Sequence, residues 1–210
     1  MLLTILLVVF LFLGYFIITE YKENKKIVPP NECEELVSDI LYWNLGRDYF
    51  AYNNLFYQGN GWSMQIDHIV VSPYGIFVIE TKGYKGLICG KEDSPDWTQF
   101  LGANKYSFYN PIMQNHSHCR VLNRMLSYNG IQARIISIVV FGDQATLKCD
   151  VKNVVKTCDL IKVISQYHDV FLDKTEIADT MRIIDRIFVQ PSVKMMKQHI
   201  KYIQSTIKNR

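Results

Sequence analysis

Met64-Gln65-Ile66-Asp67-His68-Ile69-Val70-Val71, Ser72-Pro73-Tyr74-Gly75 and Ile76-Phe77-Val78-Ile79-Glu80-Thr81-Lys82 follow one another without a break. The middle segment is good turn chemistry, with proline at the second position. The flanking segments are apolar at successive positions, which predicts strands covered on both faces. Three ionisable residues, Asp67, Glu80 and Lys82, interrupt this apolar sequence.

A two-residue loop at Pro73-Tyr74 pairs Ser72 with Gly75 and, counting outward, Asp67 with Glu80; a four-residue loop gives the same pairing. Directly opposed residues on one face have Cβ atoms roughly 4.5–5.5 Å apart. Lys82, two residues beyond Glu80, shares that face. Two opposed carboxylates in a half-buried sheet are destabilising unless a cation lies between them or one takes up a proton. A divalent metal resolves the conflict, and Mg²⁺ suits one or two carboxylates with retained waters. A structural pair, with one acid protonated or each bonded to a different helix, is the alternative. With metal bound, Lys82 is placed to position or deprotonate an attacking water, or to hold charge on a phosphate; without it, the lysine offsets the acids as an ion pair.

Working outward, the 210 residues suit one modest domain with appendages. The hydrophobic content of 49% supports a real core, and the net charge of +3 is too mild to establish a nucleic-acid partner. Five scattered cysteines without a Cys-x-x-Cys pair argue against a disulfide framework or zinc ribbon and fit a reducing compartment. Leu2 to Thr19 carries no charge, and as a helix would reach about 27 Å, close to the bilayer hydrocarbon thickness. A cleaved signal peptide would want a preceding basic residue and a small-residue cleavage site, neither of which is present. Lys22, Lys25 and Lys26 follow the run, so the positive-inside rule places the globular part in the cytoplasm.

Pro29-Pro30 closes a charged linker. A first helix is expected from Glu32, with Leu36, Val37, Ile40 and Leu41 in its pattern. Strands are expected over Tyr49 to Tyr57, in the hairpin, near Leu87 to Cys89, and over Arg134 to Phe141. Asp96 to Tyr109 reads as a loop or short irregular strand. Asn110-Pro111 caps a helix that stops at Asn129-Gly130. Further helices are expected at Asp159 to Tyr167, Thr180 to Phe188 and Val193 to Ile207. The order predicts a mixed α/β domain.

With these landmarks in order, the chain resembles the NERD (nuclease-related) domain family of the PD-(D/E)xK nuclease-like superfamily. The match spans roughly Glu32 to Phe141. It rests on a first-helix glutamate, Ile-Asp-His-Ile-Val-Val, Gly-Ile-Phe-Val-Ile-Glu-Thr-Lys, Tyr84, Gly86, Trp97, and Asn-Pro-x-x-Gln opening the second helix. The resemblance implies a restriction-endonuclease-like core, a central mixed β-sheet flanked by helices. It implies that Asp67 and Glu80 hold Mg²⁺ or Mn²⁺, that Lys82 is the catalytic lysine, and that Glu34 and Gln114 assist. Cys33 stands where glycine is expected before that glutamate.

Some residues carry two readings. Glu34 is also a first-turn residue favoured by the helix dipole, and Glu35 competes for its role. Gln114 and His118 share a face, either beside the site or toward solvent. His116 and His118 point to opposite sides, against joint zinc ligation. His68 projects away from Asp67 and is expected buried and hydrogen-bonded. Trp97 and the tyrosines near it fill the core edge or stack on unpaired bases. The C-terminal helix has an apolar stripe of Val193, Met196, Ile200, Ile203 and Ile207 beside Lys194, Lys197, Lys201, Lys208 and Arg210. It packs on the domain with a basic side in solvent, or meets nucleic-acid phosphates or anionic lipid.

The expected organisation is therefore a transmembrane anchor at 1–19, a linker at 20–31, a nuclease-like domain at 32–145 and a mainly helical extension at 146–210. The expected function is metal-dependent hydrolysis of phosphodiester bonds, with DNA favoured over RNA, by a membrane-anchored protein facing the cytoplasm. The alternative is a non-catalytic nucleic-acid-binding or scaffolding module at the membrane.

Overall fold

The computed structural model describes residues 31–59 and 61–208. The predicted anchor and nearly all of the linker lie outside them. Among the described residues, no helix is long and apolar enough to cross a membrane. The larger compact unit comprises residues 30–57 and 65–189, and Gln58–Met64 and Gln190–Arg210 belong to a second.

In the larger unit, α1 (Glu32–Asn44) starts at Asn31, whose side chain accepts the amides of Cys33 and Glu34. The strands β1 (Phe50–Gly59), β2 (Trp62–Ser72) and β3 (Gly75–Lys82) follow. β2 and β3 form the expected hairpin, with pairs from Ser72–Gly75 to His68–Ile79. Ser72 Oγ donates to Gly75 O at 3.0 Å and accepts the Tyr74 amide at 3.2 Å. Gly75 has φ of +130°, and a Cβ there would lie 2.7 Å from Arg134 O, so the turn requires glycine.

β4 (Gly86–Cys89), β5 (Asp96–Leu101) and β6 (Asn104–Tyr109) precede α2 (Pro111–Tyr128). β7 (Ile135–Phe141), β8 (Ala145–Lys148) and β9 (Val154–Lys156) are followed by a 3₁₀ turn, α3 (Leu160–Ile164) and α4 (Lys174–Ile187). One sheet has the order β1-β2-β3-β7-β9 and the other β6-β5-β4-β8. β7 runs parallel to β3 and β9, and β4 parallel to β8. The fold is α/β, with mixed sheets flanked by helices.

Alternation on β3 and β7 sorts the core. Phe77, Ile79, Ile136, Ile138 and Val140 pack with Val37 and Leu41 of α1 and Leu160, Val163 and Ile164 of α3. Val139 and Phe141, of opposite parity, pack with Ile112 of α2 and with Ile88 and Trp97 of the second sheet. With both faces covered, every β3 residue before Lys82 is buried, as the unbroken apolar run predicts.

Two local expectations are corrected. Asp96 to Tyr109 is a regular hairpin with pairs from Asp96–Tyr109 to Leu101–Asn104. It is fixed by the stacking of fully buried Trp97 on Phe141, with ring centroids 6.1 Å apart. After residue 145, β9 extends the main sheet and Leu160 and Ile164 enter its core. α4 begins before Thr180, because Asp173 and Glu176 close a capping box at its start.

In the second unit, α5 (Val193–Lys208) is tied to the Gln58–Met64 segment by Gln58 Nε2 donating to Gln198 Oε1 at 3.2 Å. Ser63 Oγ lies 2.8 Å from His199 Nδ1.

Candidate functional site

Parity puts Glu80 and Lys82 on the sheet face covered by α2. That helix starts where Asn110 Oδ1 accepts the Ile112 amide at 2.9 Å, with Pro111 in its first turn. Its seat is fixed by fully buried Asn115, which donates to Val78 O at 2.8 Å, Ser137 Oγ at 2.8 Å and Ile138 O at 3.0 Å. Gln114 and His118, one turn apart, therefore reach the charged residues of β3. Lys82 Nζ lies 2.6 Å from Glu80 Oε1 and 3.1 Å from Gln114 Oε1, and His118 Nδ1 is 3.5 Å from Glu80 Oε2.

Asp67 comes from β2. The ladder runs as far as His68–Ile79, so Asp67 and Glu80 occupy the next position of the same register. There the aspartate side chain accepts the Thr81 amide at Oδ2, 2.8 Å away. The buried Asp67 carboxyl is held well above the usual carboxylate range, first by desolvation and then by Glu80 and Glu34. Burial alone would lower the Lys82 pKa, but Glu80, with a smaller contribution from Asp67, raises it. The site is a buried cluster of acids offset by one ammonium.

Glu34 approaches from α1. Its carboxylate closes a capping box, accepting from the Asn31 amide at 3.4 Å and from Asn31 Nδ2. Burial raises its pKa, the Asn31 amide lowers it and Glu80 raises it further. Glu34, Glu35, Ser38, Asn53, Asp67 and His68 line a cleft of about 290 Å³. His68 is 1% exposed and its Nδ1 lies 2.8 Å from Asn53 Oδ1, as its strand parity predicts. Burial drives its pKa down to about 3, so the imidazole is neutral.

Asp67, Glu80, Lys82 and Gln114 thus converge, with Glu34 at the margin and engaged at its own helix start. His118 joins them, on the face that its four-residue spacing from Gln114 gives it. His116 is exposed. Trp97 belongs to the core, its indole N–H donating to Lys91 O at 2.9 Å.

The donor set can be tested against a metal. Glu80 Oε2 is buried and makes no hydrogen bond, an orphaned acceptor of the kind a cation satisfies. Among the described residues, no group of three or more His, Cys, Asp or Glu side chains converges into a cage. Two carboxylates fit an ion such as Mg²⁺, which binds through one or two carboxylates and keeps waters or phosphate oxygens as its other ligands. Asp67 and Glu80 are the residues that would hold it.

The family model for the nuclease-related domain matches residues 30–142. An uncharacterized protein of Bacillus anthracis is 33% identical over 178 residues, which cover 82% of this chain and 82% of that protein. No solved structure matches.

Proposed function

The chain belongs to the nuclease-related domain (NERD) family, and from that premise we propose that it hydrolyses phosphodiester bonds of nucleic acid with Mg²⁺ or Mn²⁺ held by Asp67 and Glu80. The observation that carries this reading is the meeting of Asp67, Glu80 and Lys82 on one face, with Lys82 Nζ 2.6 Å from Glu80 and 3.1 Å from Gln114. DNA is the favoured substrate over RNA. The apolar run Leu2 to Thr19 supports a membrane anchor, and the lysines after it support a cytoplasmic orientation for the globular part.

The metal would supply Lewis-acid charge to the phosphoryl oxygens. The chain's own residues supply position and charge. Lys82 is a hydrogen-bond donor held from two sides, by Glu80 and Gln114, so little reorganisation is needed when it orients water or meets negative charge on the phosphate. His118 Nδ1 borders the second oxygen of Glu80 at 3.5 Å. The Thr81 amide fixes Asp67 from the backbone, and Asn115 locks α2 so that Gln114 keeps its distance to Lys82.

The test is cleavage of DNA and RNA by the purified protein with Mg²⁺, alongside Asp67→Ala and Lys82→Ala. Cutting by the wild type that both substitutions abolish supports the proposal. A second reading, a non-catalytic binding module, draws on the lack of a three-donor cage among the described residues. Nucleic-acid binding that persists in chelator, without cleavage, would favour it.

A further inference from the structure

The pairs Trp97–Phe108, Gln99–Tyr106 and Leu101–Asn104 turn one face of the β5–β6 hairpin toward the core that Trp97 shares with Phe141. Along this face burial falls away: Trp97 is fully buried, Phe108 half-buried, Leu101 45% exposed and Tyr106 50% exposed. The segment after Lys82 joins the face to the candidate site. The Tyr84 ring packs against Phe108 with centroids 4.6 Å apart, and Gln99 Nε2 donates to Lys85 O at 2.8 Å. Tyr84 is also near enough to Lys82 to act on its charge. Tyr106 stands two residues beyond Phe108 on the same face, about 7 Å further along the strand.

Charge narrows the occupant of this aromatic ledge. From Thr81 to Cys89 and from Trp97 to Tyr109 the charged residues are Lys82, Lys85 and Lys105, with no acid among them. Lys85 and Lys105 are exposed, and Lys105 Nζ sits 5.9 Å from the centre of the Phe100 ring, on the other side of the hairpin. Aromatic surface flanked by cations and free of acids suits unpaired bases on a phosphate backbone, which stack on such rings whatever their sequence. Bases inside a duplex present only their edges. A second copy of the chain would add instead to the sheet edge at β6, which Lys105 disfavours. We infer that Tyr106, with Leu101 diagonally across the pair, is the stacking platform for an unpaired base of single-stranded nucleic acid led past Tyr84 to Lys82. The inference rests on the nuclease reading of the site and names the form of its substrate.

The experiment is fluorescence anisotropy of the full chain with labelled oligothymidylate, oligouridylate and a blunt DNA duplex. Ca²⁺ replaces Mg²⁺, so that a carboxylate site is filled without the ion proposed for the chemistry. Tyr106→Ala should weaken single-strand binding about tenfold, as the loss of one stacked base does. It should leave the duplex unchanged, and Tyr106→Trp should restore the loss. Such a loss on either strand supports the inference, and the tighter of the two identifies the sugar. No loss on single strands, or an equal loss on the duplex, would overturn it. So would self-association in sedimentation that the same substitution abolishes, which would assign the ledge to a second copy. Photocrosslinking of an iodouridine-containing strand to the unaltered chain needs no variant: an adduct on Tyr106 supports the platform, and adducts confined to other elements overturn it. Cutting in Mg²⁺ judges the nuclease reading apart. Binding that depends on Tyr106 without any cutting ends that reading alone; cutting with binding indifferent to Tyr106→Ala ends this inference alone.

Discussion

Replacing Lys82 with methionine keeps much of the side chain's length and removes its charge. The Lys82 and Glu80 side chains are 17% and 3% exposed, so the change strands a carboxylate with little access to water. Removing one partner of such a pair typically costs 3–5 kcal/mol. Because Lys82 keeps a path to solvent, a loss of about 3 kcal/mol is expected, which for a chain of this size lowers Tm by about 6–12 °C. Glu80→Gln should cost less, since Lys82 retains Gln114 as an acceptor. The double variant should recover stability over Lys82→Met, with a coupling energy of about 2 kcal/mol. Thermal and urea melts of the wild type and the three variants at pH 7 in chelator measure this. A Lys82→Met loss below about 1 kcal/mol, or a double variant no more stable than Lys82→Met, would refute a buried and mutually dependent pair.

Asn115→Leu should destabilise the protein by about 3 kcal/mol, because it strands the buried carbonyls of Val78 and Ile138 that Asn115 satisfies; urea denaturation reads the change. Burial pushes the Cys119 thiol up to about 12. Since burial disfavours the thiolate, only about one molecule in ten thousand is ionised at pH 8, and alkylation should speed up about tenfold per pH unit up to about pH 12. Mass spectrometry after iodoacetamide should therefore find exposed Cys158 modified well before Cys119.

The hairpin was legible because turn chemistry and side-chain period both act locally: Ser72 and Gly75 set a register that carries through to Ile79. The same holds for α2, whose Asn110-Pro111 start and Asn129-Gly130 stop are local signals. What escaped was decided by distant partners. The β5–β6 hairpin looks like an aromatic loop until Trp97 meets Phe141. β9 has only three residues, and its strand character comes from pairing with Val139, Val140 and Phe141. The place of His118 depends on a glutamate on another element. The capping role of Glu34 was readable in the sequence, since Asn31-x-x-Glu34 is itself a capping-box signature.

That last residue ties occupancy to folding. The carboxylate that could swing toward an ion beside Asp67 is the one that fastens the first turn of α1 to Asn31. To do the former it must release the latter, at a cost of about 1 kcal/mol of helix stability. A cation recruiting Glu34 would loosen the start of the helix, so the N-terminal turn of α1 would report on what lies in the neighbouring cleft.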